Sequence, residues 1–240
     1  MLSERPQPPT PVMPIASIED PRAIQMLATE HWSLLSARSL AYNEAFVRAG
    51  MFLTFLSTSL VALALVAQAL SFGPEFLGIA ALVLAFDFVI GLTTFLRMSG
   101  ANVDDLRANH GMARIRHAYT QITPLLKPYF TSPIHDDIDA VVMVYGPISP
   151  GLMGQLMYGL STSSGMIGLI VSMVGGVLVA VGAMLLEVDA SASVWMGVIG
   201  GVLVLTGLLA YTAIAIPREQ ARLTALFPTP APAAPVADDA

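Results

Sequence analysis

The sequence predicts an all-α integral membrane protein with four transmembrane helices in two hairpins. Of its 240 residues, 55% are hydrophobic and only 12% are charged, whereas a soluble domain carries about 25% charged residues. The mean hydropathy is +0.70. The chain also contains long charge-free runs, and a helix needs about 20 apolar residues to cross the hydrocarbon core.

These runs define the four spans, and Asp87 is the single charged residue in the middle of any of them. Both turns between paired spans are short, so each pair is predicted to form a hairpin, the first over 49–97 and the second over 164–216. The predicted spans are 49–71, 76–97, 164–186 and 193–216.

The basic residues all lie on one side of these spans. Of the 11 Lys and Arg residues, four precede the first span, five lie between the second and third, and two follow the fourth. The turns at 72–75 and 187–192 contain none. Because basic residues resist translocation, both termini and the region between the hairpins are predicted to be cytoplasmic.

The segments outside the spans have distinct compositions. Residues 1–20 are proline-rich and lack the apolar core of a signal peptide, so they predict a disordered tail. An apolar stripe over 21–48 predicts an amphipathic cytoplasmic helix, which either lies on the membrane, packs on a partner helix, or continues into the first span. Residues 217–240 are predicted to form a cytoplasmic tail, disordered from 228.

The region 98–163 is predicted to be cytoplasmic and helical. One helix is expected from about Ala101 to Thr123, and a second from Ser132 to about Tyr145. The segment 140–160 is apolar enough to span but is interrupted by glycine and proline. We therefore expect an interfacial or re-entrant element there, or a cytoplasmic surface that packs on a neighbouring subunit.

Asp87 is the main candidate functional residue. It lies near mid-membrane, at the depth of Ser57, Thr58 and Ser59 on the first span, and a carboxyl group there costs roughly 2.5–3.5 kcal/mol unless it is partnered. In one interpretation it hydrogen-bonds to a first-span hydroxyl and holds the hairpin together. In the other, copies from several subunits line a path for protons or cations with these hydroxyls.

Small residues repeat every four positions on the third and fourth spans. Such residues let helix backbones approach closely, either within the hairpin or between subunits. The candidate packing residues are Ser164, Gly168, Ser172, Gly176 and Ala180 on the third span, and Gly197 and Gly201 on the fourth.

Few features suggest other chemistry. The absence of cysteine excludes disulfides and thiolate sites, and the net charge of −6 argues against a nucleic-acid partner. His135, Asp136, Asp137 and Asp139 are interpreted as a solvated helix start rather than a metal site. With no recognisable catalytic motif, we predict no enzymatic activity, no metal and no cofactor.

One stretch supports a family resemblance. The run HWSLL at 31–35 and the run YNEAF at 42–46, followed by MFLTFLSTSLVALALVAQ, resemble an uncharacterised group of bacterial multi-pass, four-span membrane proteins. The resemblance covers about residues 26–70. It implies a location in the bacterial inner membrane and identifies no functional residue.

Two functions remain open from the sequence. The first is an oligomeric channel or pore-like protein that conducts protons or cations past Asp87. The alternative is a non-transporting structural or accessory subunit of a larger bacterial membrane complex. The expected partners are the lipid bilayer and either further copies of the chain or other subunits of a complex. An Asp87 that faces a symmetry axis favours the channel, and one that faces Ser59 of the same chain favours the alternative.

Overall fold

The computed structural model describes residues 17–146 and 151–230, and across these residues the protein is helical without any strand. Four of the helices are long and apolar enough to cross a membrane, α1, α2, α5 and α6, which confirms the predicted number of spans. The helices are α1 (Pro21–Leu70), α2 (Pro74–Ile122), α3 (Ile138–Val142), α4 (Leu152–Ser161), α5 (Ser163–Leu185) and α6 (Ala190–Gln220).

Helix α1 is continuous over 50 residues. It begins where the Asp20 side chain accepts a hydrogen bond of 2.8 Å from the Arg22 amide, and it shows no break between 48 and 49. The Glu44–Arg48 ion pair, at 3.1 Å, lies in the turn of the helix directly before that point. The predicted amphipathic helix is therefore an extension of the first span, which is the third of the arrangements left open by the sequence.

Helix α2 is similarly long, with 49 residues. The helix expected from about Ala101 forms its second half, joined without a break to the second span. It ends at Ile122, because Pro124 cannot continue a helix and disfavours the helical conformation of the residue before it. Both α1 and α2 thus extend beyond the predicted hydrocarbon core at the end that carries the basic residues.

Helix α2 occupies the centre of the bundle. It packs against α1 on one side and against α5 on another, and α5 packs against α6. The largest apolar core joins α1, α2 and α5 through side chains such as Phe52, Phe95 and Val171. Helix α6 contributes Leu208 to it and otherwise lies at the edge.

The segment between α2 and α5 consists of short pieces. A 3-10 helix covers Pro124–Tyr129, and α3 is followed directly by another at Met143–Tyr145. The helix expected from Ser132 is shorter than predicted, because the side chain of Asp137 caps α3 at the Ala140 amide. Residues 147–150 of the apolar segment 140–160 lie outside the described residues, and the described remainder contains no helix long enough to span.

The end of the chain packs against the middle region. Helix α6 continues past Pro217 to Gln220, and the residues after it bond to residues near α3. The Thr229 amide donates a 2.8 Å hydrogen bond to Asp137, so this first part of the segment predicted to be disordered from 228 has a defined position. Most of the two predicted disordered segments, 1–16 and 231–240, lies outside the described residues.

Candidate functional site

Asp87 lies on the face of α2 that packs against α1, and it is 0% exposed. The Ser59 hydroxyl donates a 3.2 Å hydrogen bond to Oδ1 of Asp87. Oδ2 has no hydrogen-bond partner among the described residues. Counting residues from the turn placed this serine and this carboxyl group at the same depth, and the structure brings them into contact.

The other two predicted hydroxyls do not reach the carboxyl group. Ser57 and Thr58 are exposed on the outer surface of α1. Their hydroxyls donate to carbonyl oxygens of their own helix, Ser57 to Leu53 at 2.8 Å and Thr58 to Thr54 at 2.9 Å. In a single chain, the polar site therefore consists of Asp87 and Ser59.

Apolar side chains pack next to this pair on the side towards Thr94. Gly91 lies one turn along α2, and a Cβ atom there would be 2.7 Å from Val171 and 2.8 Å from the Phe52 ring. The next buried polar group on this face, Thr94, donates its hydroxyl to the Ile90 carbonyl at 2.8 Å. Phe52 and Val171 therefore pack directly against the α2 backbone between Asp87 and Thr94. Within the described residues, no side-chain hydrogen bond links Asp87 to Thr94.

The small residues of α5 and α6 bring the two backbones into direct contact. A Cβ atom at Gly176 would lie 2.7 Å from the Gly197 carbonyl oxygen, and one at Gly201 would lie 3.1 Å from the Ser172 carbonyl oxygen. A Cβ atom at Gly197 would lie 2.8 Å from that of Ala180. These five residues thus form a within-chain contact between the third and fourth spans.

The other two members of the repeat face α2 instead. A Cβ atom at Gly168 would be 3.0 Å from the Phe95 ring. The Ser164 hydroxyl accepts a 3.1 Å hydrogen bond from the side-chain amide of Asn102. The small residues of α5 therefore contact two helices, α6 and α2, because α5 lies between them.

A buried polar cluster, which the sequence analysis did not identify, lies beyond the spans. Asp105 is 1% exposed and pairs with Arg38 of α1. It accepts hydrogen bonds from the Tyr145 hydroxyl at 2.7 Å and from Asn109 at 3.2 Å. Burial, together with the hydrogen bond to Asp105, raises the pKa of Tyr145. Burial also raises the pKa of Tyr42, to about 12, with the nearby Asp105 charge contributing.

A second cluster holds the segment after α6. Asp136 is 1% exposed and accepts hydrogen bonds from Arg114 at 2.7 Å, from the Leu226 amide at 2.9 Å and from the Phe227 amide at 2.7 Å. Burial alone raises the pKa of this carboxyl group, but the hydrogen bonds from the Leu226 amide, Arg114 and the Phe227 amide, with the Arg114 charge, together lower it. The expectation of a solvated helix start is therefore wrong for Asp136.

Histidines flank this cluster. The His117 ring stacks on Phe227 with ring centroids 4.2 Å apart. His110 is buried, with Nε2 3.8 Å from Asp136, and burial, aided by the Arg114 charge, lowers its pKa. No grouping of three or more potential metal-binding side chains occurs in the described part of the chain.

Comparisons with protein-family models, with curated proteins and with solved structures find no match for this chain. The class that the fold defines is a multi-pass membrane protein with four candidate spanning helices. The resemblance of residues 26–70 to a bacterial family stays a prediction.

Proposed function

We propose that this protein is a non-transporting structural or accessory subunit of a bacterial inner-membrane complex, with both termini cytoplasmic and its spans paired as two hairpins. The single observation that carries the proposal is the contact between the fully buried Asp87 and Ser59 of the same chain. A carboxyl group used in this way stabilises the packing of α1 on α2 and has no surface exposed to solvent in the single chain.

The physical reason is the cost of a polar group in hydrocarbon. Transmembrane helices gain little from apolar burial between themselves, so interhelical hydrogen bonds supply part of their association, about 0.5–2 kcal/mol each. The one-sided distribution of the basic residues supports the proposed orientation.

The second candidate is the oligomeric channel for protons or cations. The exposed hydroxyls of Ser57 and Thr58 favour it, because an assembly of several copies would place them between subunits at the depth of Asp87. The Oδ2 atom of Asp87 is buried without a hydrogen-bond partner among the described residues, so a rearrangement that exposes it would let it bond to a further polar group. A conducting path would require Asp87 to turn away from Ser59 towards a neighbouring copy.

Proton and cation flux into liposomes that contain the purified protein tests both candidates. The comparison uses wild type, Asp87→Asn, and the control Glu75→Gln, which removes one carboxylate at the exposed turn. The structural proposal predicts no flux from any of the three. Flux in wild type and the control that disappears in folded Asp87→Asn would overturn it and support the channel.

The stability of hydroxyl variants tests directly whether Asp87 holds α1 and α2 together. Ser59→Ala leaves Asp87 without a hydrogen-bond partner and should destabilise the protein by about 1 kcal/mol. Ser57→Ala is the matched control, because its exposed hydroxyl bonds only to its own helix. Equal stability of the two variants would contradict a holding role for Asp87.

A further inference from the structure

A cavity of about 380 Å³ lies where the helices converge beyond the spans. Its wall includes residues of every α-helix in the described chain. This volume falls in the range of pockets that hold small molecules, about 300–1,000 Å³. The cavity is separate from the Asp87–Ser59 pair, which lies within the spans.

The position of the cavity along the membrane normal follows from helix geometry. Asn102 lines it and lies 15 residues from Asp87 on the same continuous helix, which corresponds to about 22 Å along the axis. Half of the hydrocarbon core is about 15 Å thick. With Asp87 at mid-membrane, the cavity is level with the lipid headgroups and within reach of molecules dissolved in the bilayer.

The lining excludes a charged ligand. None of its side chains is Asp, Glu, Lys, Arg or His, and much of the wall is apolar, from residues such as Met98, Leu106 and Ile216. Asp105, which accepts a hydrogen bond from the lining residue Tyr145, is paired with Arg38. An ion bound in such a cavity would be desolvated without a counter-charge, which is strongly unfavourable.

The wall also carries polar side chains that can donate a hydrogen bond to a neutral acceptor such as a carbonyl oxygen. The Tyr158 hydroxyl has no hydrogen-bond partner among the described residues and lines the cavity, as does Gln220. The Tyr42 hydroxyl already donates to the Asn102 side-chain oxygen at 3.4 Å and lies beside Asp105, so it is not free for a ligand. The Tyr158 hydroxyl and the Gln220 side-chain amide match one or two carbonyl oxygens on an apolar body.

We propose that this cavity binds an uncharged, membrane-soluble molecule that carries carbonyl oxygens on an apolar body. Two kinds of molecule supply this chemistry, the ester region of a diacylglycerol and the ring of an isoprenoid quinone. The Tyr158 hydroxyl and the Gln220 side-chain amide donate hydrogen bonds to the carbonyl oxygens, and the apolar wall contacts the chain or ring.

Titration calorimetry on the full chain in detergent micelles tests the proposal. The probes are dioctanoylglycerol, a benzoquinone with a short isoprenoid tail, and dioctanoyl phosphatidic acid as the charged comparison. Saturable binding of either neutral probe, at least tenfold tighter than that of the phosphatidic acid, is the expected result. Binding of one neutral probe but not the other identifies the source. Binding of neither, or equal binding of the charged probe, overturns the proposal.

Variants of residues that line the cavity test whether the ligand binds there. Tyr158→Phe removes one hydrogen bond and should weaken binding on the order of fivefold, whereas Tyr129→Phe should leave it unchanged because Tyr129 is an exposed side chain away from the cavity. Ile216→Trp should abolish binding by filling the space, and the partial exposure of Ile216 gives the larger ring room. Binding that survives both Tyr158→Phe and Ile216→Trp unchanged would place the ligand elsewhere and contradict the proposal.

Discussion

Replacement of Gly176 by alanine tests the contact between α5 and α6. The added Cβ atom would lie 2.7 Å from the Gly197 carbonyl oxygen and 3.2 Å from the Gly201 Cα atom. Both are backbone atoms, so no side chain can rotate away and the two helices must separate by several tenths of an ångström. Overpacking of this kind costs about 1–3 kcal/mol.

Gly182→Ala is the matched control in the same helix. A Cβ atom at Gly182 would meet nothing within 4 Å, so the variant makes the same chemical change without a clash. Alanine is favoured over glycine inside a helix by roughly 0.5–1 kcal/mol. We therefore expect Gly182→Ala to be as stable as wild type or slightly more stable, and Gly176→Ala to be clearly less stable.

Equilibrium unfolding in mixed micelles, monitored by circular dichroism, measures both variants. Size determination by light scattering runs in parallel, because the sequence left open whether the small residues pack within the chain or between subunits. Equal unfolding of the two variants would refute the within-chain contact. Dissociation of an oligomer by Gly176→Ala, with unchanged unfolding of the monomer, would instead assign the small residues to a subunit interface.

Two further predictions concern the segment 224–229 after α6. Asp136→Asn replaces the carboxylate by a neutral group and so removes the charge-assisted hydrogen bonds from the Leu226 and Phe227 amides, each about 1.5–3 kcal/mol. This variant should raise amide hydrogen exchange in the segment 224–229 by at least tenfold. The control Asp139→Asn, an exposed carboxylate, should not, and equal exchange in the two variants would contradict the assignment. Acid should have the same effect as Asp136→Asn, because the pKa of Asp136 is lowered in the folded chain. The stabilisation that the Asp136 carboxylate gives the folded chain is therefore complete above about pH 4. It is lost as the pH falls through the pKa of the folded state. Exchange corrected for its intrinsic pH dependence should therefore stay constant from pH 7 to 5 and rise below 4, and a rise already at pH 6 would implicate a different group.

Several features were determined locally and were therefore readable from the sequence. The number of spans follows from hydrophobicity over about 20 consecutive residues, and α2 ends before Pro124 because proline acts on its immediate neighbours. The depth match of Asp87 and Ser59 needed only a residue count from a short turn, because the rise per residue of a helix is constant. The residue count alone could not decide which of Ser57, Thr58 and Ser59 contacts Asp87. The rotation of α1 about its own axis decides which of these side chains faces α2.

The tertiary structure alone decided the features that join distant segments. Asp136 resembles the acidic start of a solvated helix, and its amide partners, 90 residues away, carry no side-chain signal that would identify them. Nothing in the sequence around Asp105 indicates that it is buried. Its partners Arg38 and Tyr145 belong to other segments and contact it only in the folded chain. The cavity exists because the six α-helices of the described chain end or pass at one level. That arrangement depends on how the helices pack against one another and not on the sequence pattern within any one of them.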